Sequence, residues 1–139
     1  MKPQTQRWNR GPAYLPGEKR QTDEGGDCFA ACIASILEVP IDGFPNFLAS
    51  DGDKTWWDRW QDWLYDNYRS TLIYWEDEYP NFKQLAWWIA EVQPGNLSHA
   101  VVFYQEEFRW DPLQQLTYTI KDVKSAVAIY SVASILEQN

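Results

Sequence analysis

The sequence predicts an α+β fold, with helices in the first half of the chain and antiparallel strands in the second. Two stretches before residue 70 have helical patterns, and later stretches are short runs of β-branched and aromatic residues bounded by turns. A length of 139 residues fits one domain with a modest core. We therefore expect an irregular N-terminal arm over residues 1–20 and one folded domain over residues 21–139.

The first regular element is predicted to begin at Asp27. Residues 1–26 have no hydrophobic period and contain Gly-Pro, Pro-Gly and Gly-Gly pairs, so we expect them to be either disordered or packed over the domain. Asp27 is a good N-cap residue, and residues 28–38 form a run of mainly small and apolar side chains. This run predicts a buried helix that ends before Pro40.

A second helix is predicted over residues 53–68, where apolar residues recur at helical spacing. Polar and charged residues fill much of the remaining surface of this helix. We expect its apolar face to pack in the core rather than to form a ligand platform. The face consists of Trp56, Trp60, Trp63 and Leu64.

Short strands are predicted throughout the second half of the chain. Residues 82–90 are ambiguous between a short helix and a strand, although the β-formers of residues 86–92 favour a strand. A turn at residues 105–107 would join the strands on either side of it into a hairpin. The predicted strands cover residues 71–75, 86–92, 98–104 and 108–110, with one or two more at 116–120 and 126–134.

Composition and charge argue against several classes of protein. Hydrophobic residues make up 45% of the chain and charged residues 23%, which is typical of a globular protein. The net charge is -8, opposite in sign to the surface that a nucleic-acid-binding protein needs, so we expect no nucleic-acid partner. No apolar run approaches the ~20 residues of a membrane span. The first residues also lack the apolar stretch of a signal peptide, so we expect a cytoplasmic protein with no membrane partner.

The residues that could carry chemistry begin with the two cysteines, which should be reduced in the cytoplasm. Cys28 lies in the first turn of the predicted helix, where free backbone N–H groups and the helix dipole favour an anion. Cys32 lies one turn further into the apolar run, so we expect it to pack in the core as an inert thiol. A zinc site built from both thiols, His99 and Asp111 has a poor spacing signature, and we predict no metal and no cofactor.

His99 and Asp111 are predicted to be neighbours. His99 is the only histidine and begins one predicted strand, and Asp111 ends the next. If these strands form a hairpin, the start of the first and the end of the second lie at the same end of the ladder. The Asp111 carboxylate would then orient the His99 ring, which would act as the base for a Cys28 nucleophile. The Cys28 N–H and the side chain of Gln21 are candidate donors to an oxyanion.

Three motifs along the chain carry a family resemblance. The first is Gln21 followed by Asp27-Cys28-Phe29-Ala30-Ala31-Cys32. The second is Ser98-His99-Ala100-Val101-Val102, and the third is Trp110-Asp111-Pro112. Together they resemble the papain-like cysteine peptidases of the bacteriocin-processing type, over residues 21–47 and 98–112. Residues 26–40 are also similar to small phage and bacterial proteins of this group.

The resemblance implies a papain-like domain over residues 21–139, in which an N-terminal helix that carries the nucleophile packs on a twisted antiparallel sheet. It implies Cys28 as the nucleophile and His99 as the base. It also implies Asp111 as the group that orients the base and Gln21 as the oxyanion donor. The expected activity is that of a thiol hydrolase, a peptidase or an isopeptidase, with a protein or peptide substrate. If the chain is phage-encoded, it would act in the cytoplasm of the host cell.

The sequence also departs from the family pattern and leaves alternatives open. Phe29 stands where the family usually has Gly, which predicts a crowded cleft, and no Gly closely follows Pro112. A non-catalytic papain-like protein that masks a host factor would suit the acidic charge and the aromatic content of 17%. A deamidase or an acyltransferase would use the same residues, and the oligomeric state stays open.

Overall fold

The computed structural model describes residues 1–5, 27–45, 47, 55–95 and 98–133. These residues form two α-helices and one five-stranded antiparallel sheet, which confirms the predicted α+β class. The helices are α1 (Cys28–Leu37) and α2 (Trp56–Tyr68). The strands are β1 (Ser70–Trp75), β2 (Trp87–Val92), β3 (His99–Tyr104), β4 (Glu107–Trp110) and β5 (Ser125–Ser131). Short 3-10 helices lie at Ile41–Gly43, Phe82–Gln84 and Ile120–Asp122.

The last strand along the chain, β5, lies inside the sheet. The strand order is β1-β5-β2-β3-β4, and every neighbouring pair is antiparallel. β3 and β4 form the predicted hairpin, and the turn between them holds Gln105 at a φ of 54°. His99 at the start of β3 and Trp110 at the end of β4 therefore lie at the same end of the sheet.

The bounds of α1 agree with its sequence signals. The helix ends at Leu37, and Glu38 takes a left-handed conformation with a φ of 61°, two residues before Pro40. Asp27 occupies the predicted N-cap position, but its side chain makes no capping hydrogen bond to the described first turn. It is instead buried, with 2% of its surface exposed.

The second helix begins at Trp56 and is capped by Thr55. The Thr55 Oγ1 accepts a hydrogen bond of 3.1 Å from the Asp58 N–H. The predicted start at residue 53 lies outside the described residues. Trp60 and Leu64 are buried in the core, as predicted for the tryptophan face. Trp56 is only partly buried, so the face does not enter the core along its whole length.

The sheet is covered on both faces. On the helix face, α1 and α2 pack on alternate strand residues, which include Ile89, Ala100, Val102 and Val127. On the opposite face, which we call the aromatic face, Trp88 and Phe103 are fully buried. They lie beneath aromatic side chains of the connecting segments, such as Phe82 and Tyr118.

The remaining strand predictions are confirmed for β1 to β4 to within one residue at each boundary. β5 confirms the start of the strand predicted over residues 126–134, but the strand ends at Ser131, and Val132 and Ala133 are helical. The ambiguous stretch at residues 82–90 divides into the 3-10 helix Phe82–Gln84 and the start of β2. In the described part of the chain, neither α-helix has the length and hydropathy to span a membrane.

The prediction of a strand within residues 116–120 is wrong. After β4 the chain leaves the sheet, passes through turns and irregular structure over residues 112–119 and enters the 3-10 helix Ile120–Asp122. Local hydrogen bonds explain the difference, because the Asp111 carboxylate binds backbone N–H groups of this segment. Asp122 Oδ2 also accepts the Thr119 N–H at 2.8 Å, which starts the 3-10 helix where a strand was expected.

Candidate active site

The Cys28 thiol lies at the N-terminus of α1. Cys28 is the first helical residue and is partly exposed. The hydrogen bond from the Ala31 N–H to the Asp27 carbonyl, 3.0 Å long, is the first of the helix. The N–H groups that precede it, including that of Cys28, have no acceptor within the helix. These groups and the helix dipole favour negative charge at the end where the thiol lies.

His99 and Asp111 are hydrogen-bonded, which confirms the proximity that the hairpin spacing predicted. His99 Nε2 and Asp111 Oδ1 are 2.6 Å apart, and the side chains are 7% and 4% exposed. His99 starts β3 and Asp111 directly follows β4, so antiparallel pairing brings them together at one end of the sheet. Because Asp111 occupies Nε2, Nδ1 is the ring nitrogen that is left for the Cys28 thiol.

The Asp111 carboxylate is held by several donors. Besides the ring, its Oδ1 accepts the Leu113 N–H at 2.9 Å, and its Oδ2 accepts those of Gln115 at 3.1 Å and Leu116 at 3.2 Å. Burial raises the pKa of this carboxyl, but the His99 hydrogen bond, the backbone N–H groups and the His99 charge together hold the pKa below its ordinary value. Asp111 is therefore ionised near neutral pH and fixes both the ring and the loop after β4.

The His99 ring has a pKa raised to about 9. Burial lowers the pKa of the ring, but hydrogen bonds to Asp111 and Cys28, together with the charges of both groups, outweigh it. The ring is thus protonated at neutral pH and forms an ion pair with Asp111. Cys28 is close enough to contribute to the raised pKa of the ring, and both residues line the same cavity.

A cavity of about 480 Å³ opens beside Cys28 and His99. It lies on the helix face, where the first residues of α1 and α2 meet strands β2, β3 and β5. Phe29 forms part of its wall and packs on Trp56, with ring centroids 4.8 Å apart. Cys28 still lines the cavity, so Phe29 does not seal the thiol from it although the resembled family has Gly at this position.

Another wall of the cavity carries residues that sequence reasoning missed. Glu91 of β2, Ser98 before β3 and Ser125 of β5 line it, together with the aromatic side chains of Trp57 and Tyr74. The two serine hydroxyls donate hydrogen bonds of 2.9 Å to the Glu91 carboxylate. One feature of the sequence could have indicated that Glu91 has a special role. Glu91 is the only charged residue of the otherwise apolar run over residues 86–92.

Cys32 is a core residue, as predicted. Its side chain is 0% exposed, one turn after Cys28. Burial, reinforced by electrostatic interactions with Cys28 and Asp111, raises the pKa of the Cys32 thiol and keeps it protonated. Among the residues that the structure describes, no three His, Cys, Asp or Glu side chains are grouped to hold a metal ion.

Gln21, the predicted oxyanion donor, lies outside the described residues. Its role therefore stays a prediction from the sequence. The donors that the structure does describe beside the thiol are the backbone N–H groups of the first turn of α1, beginning with that of Cys28.

Comparisons with known proteins returned no relatives of the chain. No protein-family model, no curated protein and no solved structure matches it. The resemblance to papain-like peptidases therefore rests on the sequence motifs alone. The function is therefore inferred from the geometry of Cys28, His99 and Asp111.

Proposed function

We propose that the chain is a thiol hydrolase of peptide or protein substrates, with a papain-like active site that works in a reducing, cytoplasmic environment. One observation carries the proposal. The His99 ring is hydrogen-bonded to the Asp111 carboxylate, and His99 and Cys28 line one cavity at the N-terminus of α1. A thiol, an imidazole and a carboxylate in this order can act as nucleophile, base and orienting group.

In the first half-reaction, the Cys28 thiolate attacks the carbonyl carbon of an amide and forms a C–S bond. The negative charge that develops on the carbonyl oxygen is stabilised by the Cys28 N–H and by Gln21, the predicted second donor. Protonated His99 gives its proton to the amide nitrogen, the C–N bond breaks and a neutral amine leaves. A thioester between the substrate and Cys28 remains, and His99 is neutral.

Water completes the reaction. The neutral His99 ring takes one proton from a water molecule, whose oxygen attacks the carbonyl carbon of the thioester. The C–S bond then breaks, a carboxylic acid is released and the sulfur leaves as a thiolate. Protonated His99 and the Cys28 thiolate are thereby restored for the next turnover.

Asp111 acts in this scheme as a positioning residue. Its bond to Nε2 directs Nδ1 toward the sulfur, and its charge stabilises the protonated ring. Three backbone N–H groups prevent the carboxylate from turning away. We therefore expect Asp111→Asn to lower kcat more than it changes KM, because substrate contacts stay in place while the ring loses its orientation.

The proposal is tested with a peptide that carries a thiol-directed vinyl sulfone, followed by measurement of the intact mass. We expect one adduct on the wild-type chain and none on Cys28→Ala, which retains Cys32 as a buried thiol control. Cleavage of a mixed peptide panel should fall at least about a thousandfold in the same variant. Equal labelling or equal cleavage by the two proteins contradicts the proposal, as does the absence of both reactions in the wild type.

A further inference from the structure

We propose that the cavity selects a positively charged side chain, lysine or arginine, near the bond that is cleaved, and that Glu91 recognises it. This inference rests on the proposed hydrolase function of the same site and adds a substrate class to it. Three features support the inference. They are the position of Glu91, the hydrogen bonds that hold its carboxylate, and the aromatic rings that line the same cavity.

Glu91 lies one strand away from His99. β2 and β3 pair so that Val92 is opposite His99 and Glu91 is opposite Ala100. Neighbouring strands are about 4.8 Å apart. Because Glu91, His99 and Cys28 line one cavity, a substrate whose carbonyl group reaches Cys28 brings an adjacent side chain near the Glu91 carboxylate.

The Glu91 carboxylate is oriented by neutral donors. Ser98 Oγ donates to its Oε2 and Ser125 Oγ donates to its Oε1, each at 2.9 Å. Each carboxylate oxygen keeps a free lone pair, and the hydroxyl groups do not neutralise the charge. Lys83 pairs with Glu106 and Arg109 pairs with Glu107, so neither of these cations is paired with Glu91. The charge of Glu91 therefore remains available to a cation in the cavity.

Two aromatic rings border the same wall. Trp57 and Tyr74 meet edge to face, with ring centroids 5.7 Å apart. Burial raises the pKa of the Tyr74 hydroxyl, a hydrogen bond with Ser125 lowers it, and the charges of Glu76 and Glu91 raise it further. The tyrosine thus lies in a negative field, and its ring offers a face on which a cation can rest.

A cationic side chain suits this wall better than an apolar or an acidic one. An apolar side chain would strip water from Glu91 without giving the carboxylate a partner. An acidic side chain would be repelled by Glu91 and Glu76, and the net charge of -8 acts in the same direction. Lysine or arginine would form a charge-assisted hydrogen bond with the carboxylate and pack on the rings.

The first test compares fluorogenic peptides that differ only in the residue next to the scissile bond, which is arginine, lysine, norleucine or glutamate. We expect kcat/KM to be about ten- to a hundredfold higher for arginine or lysine than for norleucine. Glu91→Gln keeps an acceptor for the serine hydroxyls and should remove this preference. Glu106→Gln removes the same charge from the exposed β3–β4 turn and should leave the preference intact.

The second test measures binding to Cys28→Ala, so it reports on the cavity whether or not the chain hydrolyses a peptide. The probes are Nα-acetyl-arginine methylamide and its norleucine counterpart, followed by the fluorescence of the cavity tryptophans. We expect the arginine probe to bind at least about tenfold more tightly, and this advantage to vanish in the Cys28→Ala, Glu91→Gln double variant.

The outcomes separate the two proposals. Hydrolysis at Cys28 with equal rates for arginine and norleucine overturns the role of Glu91 and leaves the hydrolase intact. Selective binding of the arginine probe without any hydrolysis supports the cation site and overturns the hydrolase. A preference that persists in Glu91→Gln also overturns the assignment, because another group would then recognise the cation.

Discussion

The two faces of the sheet are filled in different ways. On the aromatic face, Phe82 lies flat on Trp88, with ring centroids 4.5 Å apart and planes at 10°, and Phe103 lies 4.9 Å from the same indole. On the helix face, Trp57 and Tyr74 meet edge to face beside a cavity of about 480 Å³. The same residue types thus fill one side and border a space on the other. Close packing and an open cavity therefore lie on opposite faces of one sheet.

The largest expected effect on stability comes from emptying the aromatic face. Trp88→Ala removes a fully buried indole together with its hydrogen bond of 2.7 Å to the Gln105 carbonyl. We expect the free energy of unfolding to fall by about 3–5 kcal/mol. Urea unfolding measures this loss, and the rate of vinyl sulfone labelling of Cys28 should change little in the fraction that stays folded.

The matched variant on the helix face is Trp57→Ala. Trp57 is partly exposed and borders the cavity, so its loss should lower the free energy of unfolding by about 1 kcal/mol or less. The same substitution should change the rate at which the vinyl sulfone labels Cys28, because it alters the cavity beside the thiol. If the two variants lost equal stability, the faces would not differ in the way that their packing indicates.

The next effect concerns the ion pair at the end of the sheet. The His99 pKa is about 9 in the folded protein against an ordinary 6.5, so its stabilising contribution is fully present below pH 6.5 and is lost as the pH rises through 9. A shift of this size corresponds to about 3 kcal/mol. Asp111 acts in the opposite direction, because its pKa is lowered. Its contribution is present above the ordinary pKa of 3.8 and is lost as the pH falls through the lowered value.

This pH dependence is open to a direct measurement, because the sequence contains one histidine and NMR will show one imidazole titration. We expect a pKa near 9 for the wild type and lower values in Asp111→Asn and in Cys28→Ala, since the first variant removes the negative charge beside the ring and the second removes the thiol that also raises the pKa. A wild-type pKa near 6.5 would mean that the ring is not paired in solution.

The smallest expected effect concerns the helix that carries the cavity tryptophans. Thr55→Ala removes the N-cap of α2 and should lower the free energy of unfolding by about 1 kcal/mol. Thr55→Ser retains the capping oxygen and serves as the control. Urea unfolding measures the free energy of unfolding of both variants. Equal decreases in the two variants would mean that the cap does not stabilise this helix.

Local signals were enough to predict most of the fold and the centre of the candidate site. His99 and Asp111 are 12 residues apart in a single hairpin, so spacing and antiparallel pairing suffice to bring them together. The apolar run after Asp27 likewise defines α1 and places Cys28 at its first position. Hydrophobic periodicity and turn residues carry this information, and both act over short stretches of the chain.

The features that the sequence did not reveal depend on distant contacts or on hydrogen bonds to one side chain. Glu91 meets Ser125 only because β5 pairs with β2, across 34 residues of sequence. The stretch at 116–120 contains residue types that favour strands, but the Leu116 N–H at its start donates a hydrogen bond to the Asp111 carboxylate. Trp56 and Trp60 share a helix face by periodicity, yet only the second is fully buried, because the cavity opens beside the first turn of α2.

The position of β5 between β1 and β2 has a consequence for how the protein is made. During translation the two flanking strands leave the ribosome well before residues 125–131, and until then each presents an unpaired edge. Ser125 and Val127, which complete the cavity, arrive with that final strand. A nascent chain therefore completes this cavity only when β5 has been made, and chaperones that shield exposed strand edges should bind it until then.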